Sequence, residues 1–360
     1  MSGALPPATP HCGVADAVVK IAQILVNKSV DVAIFTSRKS GTTIGGEQSE
    51  NVKIFNLATS WGFRDLGTFL RTVRTWAPDV VHIQYPTQDY GRSWMPYFLP
   101  FILFLLRVRV VQTWHENTRF RFLPNLFSRD WLIVVEADFL KKLRWRYKWA
   151  MIWKNINFIQ IVSNIDRVIL PSKKISALRA RFLKHDSERL LVFFGFLYEG
   201  KGFEKILNFA DPTTDRLLII GNIEPETNPY HSLIQSMILS GPWRDRVSFL
   251  GYLNSSEAAE IISVSDAMLC PFDNGMRDNN GTVLAGQAQG TFVLTTKQSS
   301  IGYDPCSNTY FAACNDENEM KMALDRYSGV RVVDGNTEVV DWERFVVDHL
   351  NVYQKAIRQV

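Results

Sequence analysis

At 360 residues the chain is longer than one ordinary hydrophobic core and suits two domains. With 46% apolar and 21% charged residues it has a globular composition, and a formal charge of +4 gives no argument for a nucleic-acid partner. Cys12, Cys270, Cys306 and Cys314 show neither a C-x-x-C pair nor zinc spacing, so they read as reduced thiols of a cytoplasmic protein, and no signal peptide is visible.

Met1-Ser-Gly-Ala-Leu-Pro-Pro runs into Cys12-Gly13-Val14-Ala15-Asp16 and an amphipathic helix over Val14–Asn27. Short apolar strands then alternate with helical patterns, the signature of a parallel, doubly wound sheet. The first half places strands at Val30–Thr36, Val52–Leu57, Val80–Gln84, Arg109–Thr113 and Arg167–Leu170. The second half repeats the pattern at Leu190–Phe194, Leu217–Ile220, Arg246–Leu250, Ala267–Cys270 and Phe292–Thr295. The polar stretch 184–189 reads as the linker, and Val340–Ile357 as a terminal helix. The expected domains are 1–186, 187–338 and a tail, 339–360. A Rossmann-like half opens on a strand of about 5–6 residues. Here only Ser2–Leu5 is available, so either the first central strand is stunted or the start lies upstream.

Eight of ten tryptophans precede residue 155, which sets the halves apart. Trp94–Leu106 carries no charge but is shorter than the roughly 20 residues a bilayer span requires, and Pro96 and Pro100 oppose a regular spanning helix. A buried core helix is the plain reading. Residues 141–154 mix six basic residues with Trp145, Trp149 and Trp153, spaced to share one helical face. That segment suits an anionic membrane surface, or else packs its aromatic stripe on its own sheet.

The most informative stretch is Gly195-Phe-Leu-Tyr-Glu-Gly-Lys201-Gly202, between an apolar strand and the helical pattern from Phe203. Backbone N–H groups, a helix start and an ammonium there suit a diphosphate. A second strand ends in His115-Glu116, and Gly251-Tyr252-Leu253 follows a third. Then come Pro271-Phe272-Asp273 and Arg277-Asp278-Asn279-Asn280-Gly281-Thr282, which opens a helix. No strand leads into Gly-x-Gly-x-x-Gly, which disfavours a dinucleotide dehydrogenase.

These motifs, in this order, resemble the GT-B nucleotide-sugar glycosyltransferases, whose two Rossmann-like domains face each other across a cleft. The likeness is to the large retaining family, glycosyltransferase family 4-like, that builds bacterial polysaccharides. Many relatives carry two glutamates where this chain has Arg277 and Ala285, so the resemblance is to the subset with an Arg-containing loop. The resemblance implies a hexose-type transfer from a nucleotide-diphosphate sugar to a growing, lipid-linked glycan, with retention of configuration. It gives Lys201, His115 and Arg277 catalytic roles, and donor contacts to Gly13, Gly251, Tyr252, Leu253, Asp273, Asn280, Gly281 and Thr282. No Asp-x-Asp element is present, so no metal or other cofactor is expected. A cytoplasmic enzyme, peripheral on the inner face of the membrane, follows. A nucleotide-sugar epimerase of the same fold and an inactive scaffold remain the alternatives.

Overall fold

The computed structural model describes every residue except 4, 6–12, 41–50, 86–89, 116–122, 144, 186, 279, 333–340 and 359–360. Cys12, Glu116, Arg144 and Asn279 thus lie outside the described residues. The chain forms two compact units, Met1–Val162 with Val340–Val360, and Ser163–Val339.

The first unit contains α1 (Gly13–Asn27), β1 (Val32–Ser37), β2 (Val52–Ala58), α2 (Leu66–Trp76), β3 (Val81–Tyr85) and α3 (Met95–Leu105). It continues through β4 (Val110–Trp114), β5 (Trp131–Val134), α4 (Phe139–Lys142), α5 (Trp145–Met151) and β6 (Asn155–Phe158). The second unit runs α6 (Ser172–Ala180), β7 (Arg189–Phe194), α7 (Phe203–Phe209), β8 (Asp215–Ile220), α8 (Pro229–Ser240), β9 (Val247–Gly251) and α9 (Ser255–Val264). After these come β10 (Ala267–Cys270), α10 (Gly281–Ala288), β11 (Val293–Lys297), β12 (Gly302–Asp304), β13 (Thr309–Ala313) and α11 (Glu317–Tyr327). The last helix, α12 (Trp342–Arg358), belongs to the first unit.

The second unit holds one sheet in the order β12-β13-β11-β10-β7-β8-β9, parallel except for β12. Helices cover both faces, so its central strands carry unbroken apolar runs, Leu190–Phe194 in β7 and Leu217–Ile220 in β8. Leu191 and Phe193 of β7 face α7, α8 and α11, and Leu190 and Val192 face α9 and α10. Stretch 184–189 lies inside this unit. Its Glu188 is buried and accepts from the N–H groups of Lys184 and His185 and from Arg216 and Arg246. Burial works to raise its pKa, but these donors hold it down to about 2.

The first unit has a divided sheet, β1-β2 and β3-β4-β5-β6, all parallel. Among the described residues Met1 to Gly3 bridge the two parts: Ser2 N donates to Phe35 O, Ser37 N to Gly3 O and Gln84 N to Met1 O. The strand expected at 167–170 is not formed. Those residues are extended before Pro171, and the Val168 N–H goes to the Gln289 side chain (3.0 Å) rather than to a strand. The outer strands are instead β5 and the short, half-exposed β6.

Residues 141–154 do not form one helix. Two short helices, α4 and α5, take their place, and Trp153 lies beyond the second. Lys154 is buried against Asp130 (2.7 Å), and that carboxylate also accepts from Gln112 and Ser128. Lys142 pairs with Glu136 and Asp138, both at 2.8 Å. Trp94–Leu106 is mostly the core helix α3, with Leu99 and Leu103 buried and Leu105 and Leu106 exposed. Among the described residues no helix is long and apolar enough to cross a membrane.

Helix α12 brings a histidine cluster together. His82 Nδ1 bonds Tyr353 Oη (2.6 Å), His82 Nε2 bonds Thr113 Oγ1 (2.8 Å), and the His82 ring lies 5.8 Å from that of His349. Burial depresses all three histidines, His82 well below the usual range and His115 and His349 to about 4. The unfolded chain therefore binds protons between pH 6.5 and about 4 that the folded chain does not. Stability contributed by these groups is complete above pH 6.5 and drains as pH falls toward 4. Thermal melts are expected to show that loss, at most about 3 kcal/mol for each of His115 and His349. His349→Gln should flatten the slope in that window, and an unchanged slope would assign the acid sensitivity to other groups.

Candidate active site

In the second unit the ends of β10, β7, β8 and β9 lie side by side, so their following loops gather at one sheet edge, where open parallel sheets bind ligands. The loop after β7 turns on left-handed glycines: Gly195 (φ +109°), Gly200 (+93°) and Gly202 (+70°). Such angles strain any residue with a Cβ. At Gly202 a Cβ would also overlap the carbonyl oxygen of Pro271, so this loop and the one after β10 are in backbone contact. The Asp273 N–H donates to Gly200 O (3.0 Å), and α8 holds the middle of the loop through His231 Nε2 and Leu197 O (2.7 Å).

Lys201 sits inside this fastening. Its side chain is largely buried, with the ammonium 4.9 Å from the Phe272 ring centre and 5.4 Å from that of Tyr198. Among the described residues no carboxylate pairs with it. Burial lowers its pKa from the ordinary lysine value, opposed by the neighbouring Cys270, whose own thiol burial pushes up to about 12. The rings offset part of the desolvation, a cation–π contact contributing about 0.5–2 kcal/mol. The remainder is an electrostatic site suited to an anion.

The start of α10 adjoins the same loop: a Cβ on Gly195 would stand 3.1 Å from Thr282 Oγ1. The side chain of the N-cap, Asn280, makes no capping hydrogen bond to α10, and among the described residues nothing lies within 4 Å of a Cβ built on Gly281. The first N–H groups of a helix lack intrahelical partners and carry the positive end of its dipole. Lys201, Gly281 and Thr282 therefore belong to one electropositive corner.

The other expected residues are placed as follows. Asp273 is paired with Lys205 (2.8 Å), which also donates to Cys314 O (2.7 Å). Arg277 is exposed and has no ion pair among the described residues. Gly251 (φ +67°) ends β9 and accepts from the Gly221 N–H (2.9 Å); Tyr252 is exposed, and Leu253 packs against the core. Gly221 packs on the Gly195 carbonyl, which links the ends of β7, β8 and β9. Sequence reading passed over Gly221, though a glycine directly after the apolar run Leu217–Ile220 was a signal. Phe272 and Tyr198 stand inside the motifs singled out in the sequence, but their contact with the ammonium arises only through space.

His115 and Gly13 belong to the first unit, Gly13 as the first residue of α1. The His115 N–H donates to Tyr85 O (2.6 Å), and its Nε2 bonds Gln84 Oε1 (2.8 Å). Gln84 Nε2 in turn reaches His82 Nε2 (3.2 Å). With its pKa near 4, His115 is a neutral imidazole at pH 7.

Residues 12–193, just over half of the chain, match the glycosyl transferase 4-like domain family. A search of curated proteins returned no match. Solved structures are similar along the whole chain. A glycosyltransferase from Rickettsia africae ESF-5 has a TM-score of 0.74 at 12% identity, over 100% of this chain and 98% of that one. Sucrose-phosphate synthase from Thermosynechococcus elongatus has 0.73 at 15% identity, over 98% and 97%. HepE from Anabaena, in complex with UDP and glucose, has 0.66 at 14%, over 99% and 98%. The fold is GT-B, and the enzyme is a glycosyltransferase. The chain belongs to the glycosyl transferase 4-like family.

Gly202→Ala tests the fastening between the loops. The substitution forces Pro271 away and strains the turn, so it should lower Tm and displace Lys201. Gly200→Ala meets no neighbouring atom and carries only the strain of its positive φ. The Gly202 variant should melt several degrees below the Gly200 variant, and equal melting temperatures would show that the contact is dispensable.

Proposed function

We propose that the enzyme binds a nucleotide-diphosphate sugar at the Lys201–Thr282 corner and transfers the sugar to a glycan acceptor without a metal ion, with retention of configuration. The carrying observation is the buried ammonium of Lys201, lacking a counterion among the described residues beside the uncapped start of α10. Transfer breaks the anomeric C–O bond to the diphosphate and forms one to an acceptor hydroxyl, whose proton is released. Negative charge grows on the leaving phosphate, where a preoriented cation and helix N–H groups stabilise it. Arg277, exposed and unpaired, adds a second, mobile charge to the phosphates. Tyr252 and Gly251, at the end of β9, suit the nucleobase. His115, a neutral imidazole, is suited to a hydrogen-bonding role rather than to a charged one. That HepE was solved with UDP and glucose, and starch synthase IV from Arabidopsis thaliana with ADP and acarbose, favours a nucleotide-sugar donor.

A lipid-linked acceptor at an anionic membrane extends this reading. Trp145, Trp149, Ile152 and Trp153 are all more than half exposed. Phe127, also exposed, rests edge-on to Phe101 of α3 (6.3 Å). Soluble proteins seldom expose so many large apolar side chains together without a partner. Among the described residues Lys141, Lys148 and Arg129 are exposed bases near them, Arg129 lying 4.8 Å from the Trp153 ring centre, while Lys142 and Lys154 are ion-paired. Aromatic insertion and charge both enter this reading. WaaG, a structural neighbour at 13% identity, takes part in lipopolysaccharide biosynthesis, which accords with a glycan of this kind.

In a transfer assay with a donor found by nucleotide-sugar screening, Lys201→Ala should lower turnover about 10²–10³-fold, the effect of removing an oriented charge stabiliser. Arg277→Ala should weaken donor binding with little change in Tm, and transfer should persist in excess chelator. Wild-type turnover in a folded Lys201→Ala chain would refute the phosphate role, and strict dependence on an added divalent ion would refute the metal-free mechanism.

Vesicle sedimentation tests the surface. The protein should bind anionic vesicles at low salt, and Trp145→Ala with Trp149→Ala should reduce binding more than Lys141→Gln with Lys148→Gln. Absence of binding by the parent protein would remove the support for a lipid-linked acceptor.

A further inference from the structure

The turn that carries Lys201 brings one aromatic ring to it directly. Lys201 N donates to Tyr198 O (3.1 Å), and Gly200, third of the four residues, has φ +93°. The bond and the glycine match a type II turn, whose first and last Cα atoms lie within about 7 Å. Tyr198 and Lys201 therefore stand side by side, with the ammonium 5.4 Å from the ring centre.

The second ring comes from another strand. Phe272 follows β10, and its carbonyl accepts from Thr296 Oγ1 of β11 (2.6 Å) and from the Gly275 N–H (3.2 Å). Its side chain is buried in the core that includes Val192 of β7 and Val283 of α10. Backbone and packing thus both fix this ring, which stands 4.9 Å from the ammonium. Both distances lie inside the roughly 6 Å reach of a cation–π contact.

A ring serves a waiting cation in a way that a carboxylate does not. A carboxylate neutralises the charge and occupies the ammonium N–H donors, and an incoming phosphate must displace it. A ring face attracts the charge through its quadrupole and leaves those donors to the ligand. An acid was within reach of the fold. Asp273 is the residue after Phe272, yet it pairs with Lys205 of α7 (2.8 Å). Glu199 of the loop and Glu204 of α7 make no ion pair with Lys201 among the described residues.

The other titratable groups around the loop carry no charge toward the ammonium. Burial pushes the Cys270 thiol of β10 up to about 12. Burial and the nearby Glu204 raise the Tyr230 hydroxyl of α8 above the ordinary tyrosine value. His231 of α8 has both nitrogens engaged, Nε2 with Leu197 O (2.7 Å) and Nδ1 with the Glu224 N–H (2.9 Å). Burial works to strip the proton from Lys201, and the two rings oppose it.

We propose that Phe272 and Tyr198 are positioning residues of the donor site, whose ring faces hold the Lys201 ammonium charged and in place where a counterion would otherwise stand. The phosphates of the donor then meet a ready cation. This inference rests on the phosphate role of Lys201 proposed above.

The test compares Phe272→Leu, Phe272→Tyr, Tyr198→Leu and Lys201→Ala with the parent chain. Affinities for UDP and ADP are measured from about pH 7.5 to about 10.5, above the second ionisation of a phosphate near 6. The Lys201 side chain is titrated in parallel by NMR without nucleotide, its signal assigned by absence from Lys201→Ala. Affinity should fall as pH rises through the Lys201 pKa, because the neutral amine no longer attracts the phosphates. Removing a ring that stabilises the cation lowers that pKa. Phe272→Leu should therefore move both the Lys201 titration and the alkaline loss of affinity to lower pH, by about half a pH unit or more. Tyr198→Leu, at a half-exposed ring, should move them the same way and gives the readout even if Phe272→Leu does not fold. Phe272→Tyr keeps a ring and should restore the parent profile. An unmoved titration in the folded leucine variants would overturn the proposal. So would a loss of affinity of equal size at every pH, the mark of packing alone. Parent affinity in Lys201→Ala would refute the phosphate role itself and the proposal with it.

Discussion

The site depends on a cation placed where it is costly to keep. Lys201 is taken largely out of water and set against Phe272 and Tyr198, with no carboxylate among the described residues to neutralise it. One turn further on, Lys205 is given Asp273 and a carbonyl. The contrast shows that the fold could have satisfied a lysine here and leaves this one unsatisfied. Glycine makes the placement possible. Only a residue without Cβ lets the β7 loop lie on the carbonyl of Pro271, and that contact carries the Phe272 ring to the ammonium. The strain is local and the charge is local, but both are held at the ends of β7, β8 and β10, strands largely buried between helices.

The chemistry of the first unit is different in kind. Its histidines are held neutral by burial and linked through Gln84, Thr113 and Tyr353. In that network Gln84 presents its oxygen to His115 and its nitrogen to His82, so Gln84 fixes which imidazole nitrogen carries hydrogen. A histidine so fixed can orient a hydroxyl but contributes little charge. Charge stabilisation in the proposed reaction therefore falls to Lys201 and the start of α10.

How far the sequence could be read follows from what was buried. Strands β7, β8 and β10 are covered on both faces and stand out as runs without a polar interruption, so their positions were plain. Strand β6, Asn155–Phe158, is short, half exposed and polar at alternate positions, and nothing local marks it. Residues 167–170 look like a strand because Val168 and Leu170 face a core, but Pro171 follows and Gln289 takes the Val168 amide. The tryptophans at 145, 149 and 153 have helical spacing, yet the chain turns after Met151, and Lys154 is drawn inward by a carboxylate 24 residues earlier in sequence. At the site, Lys201 and its glycines were legible because their roles are local. Phe272, Gly221 and the engagement of Asp273 by Lys205 depend on strand order, which no short motif encodes.

The order of the chain bears on how the first unit is completed. The backbone leaves that unit at Val162 and returns at Val340, after the whole of the second has been made. The returning helix α12 supplies Phe345, Val346 and Val352 to the core around Val111 and Ile133. It also supplies Tyr353 to His82, a hydrogen bond spanning 271 residues. Closing so long a loop costs entropy before any contact repays it, whereas the second unit is one continuous segment with nothing to await. Until α12 docks, Val111 and Ile133 lack the apolar cover that the helix provides, and His82 lacks one of its hydrogen-bond partners. The second unit is thus positioned to fold first and the first unit to close around its tail, which makes α12 part of the first unit's core rather than an appendage to it.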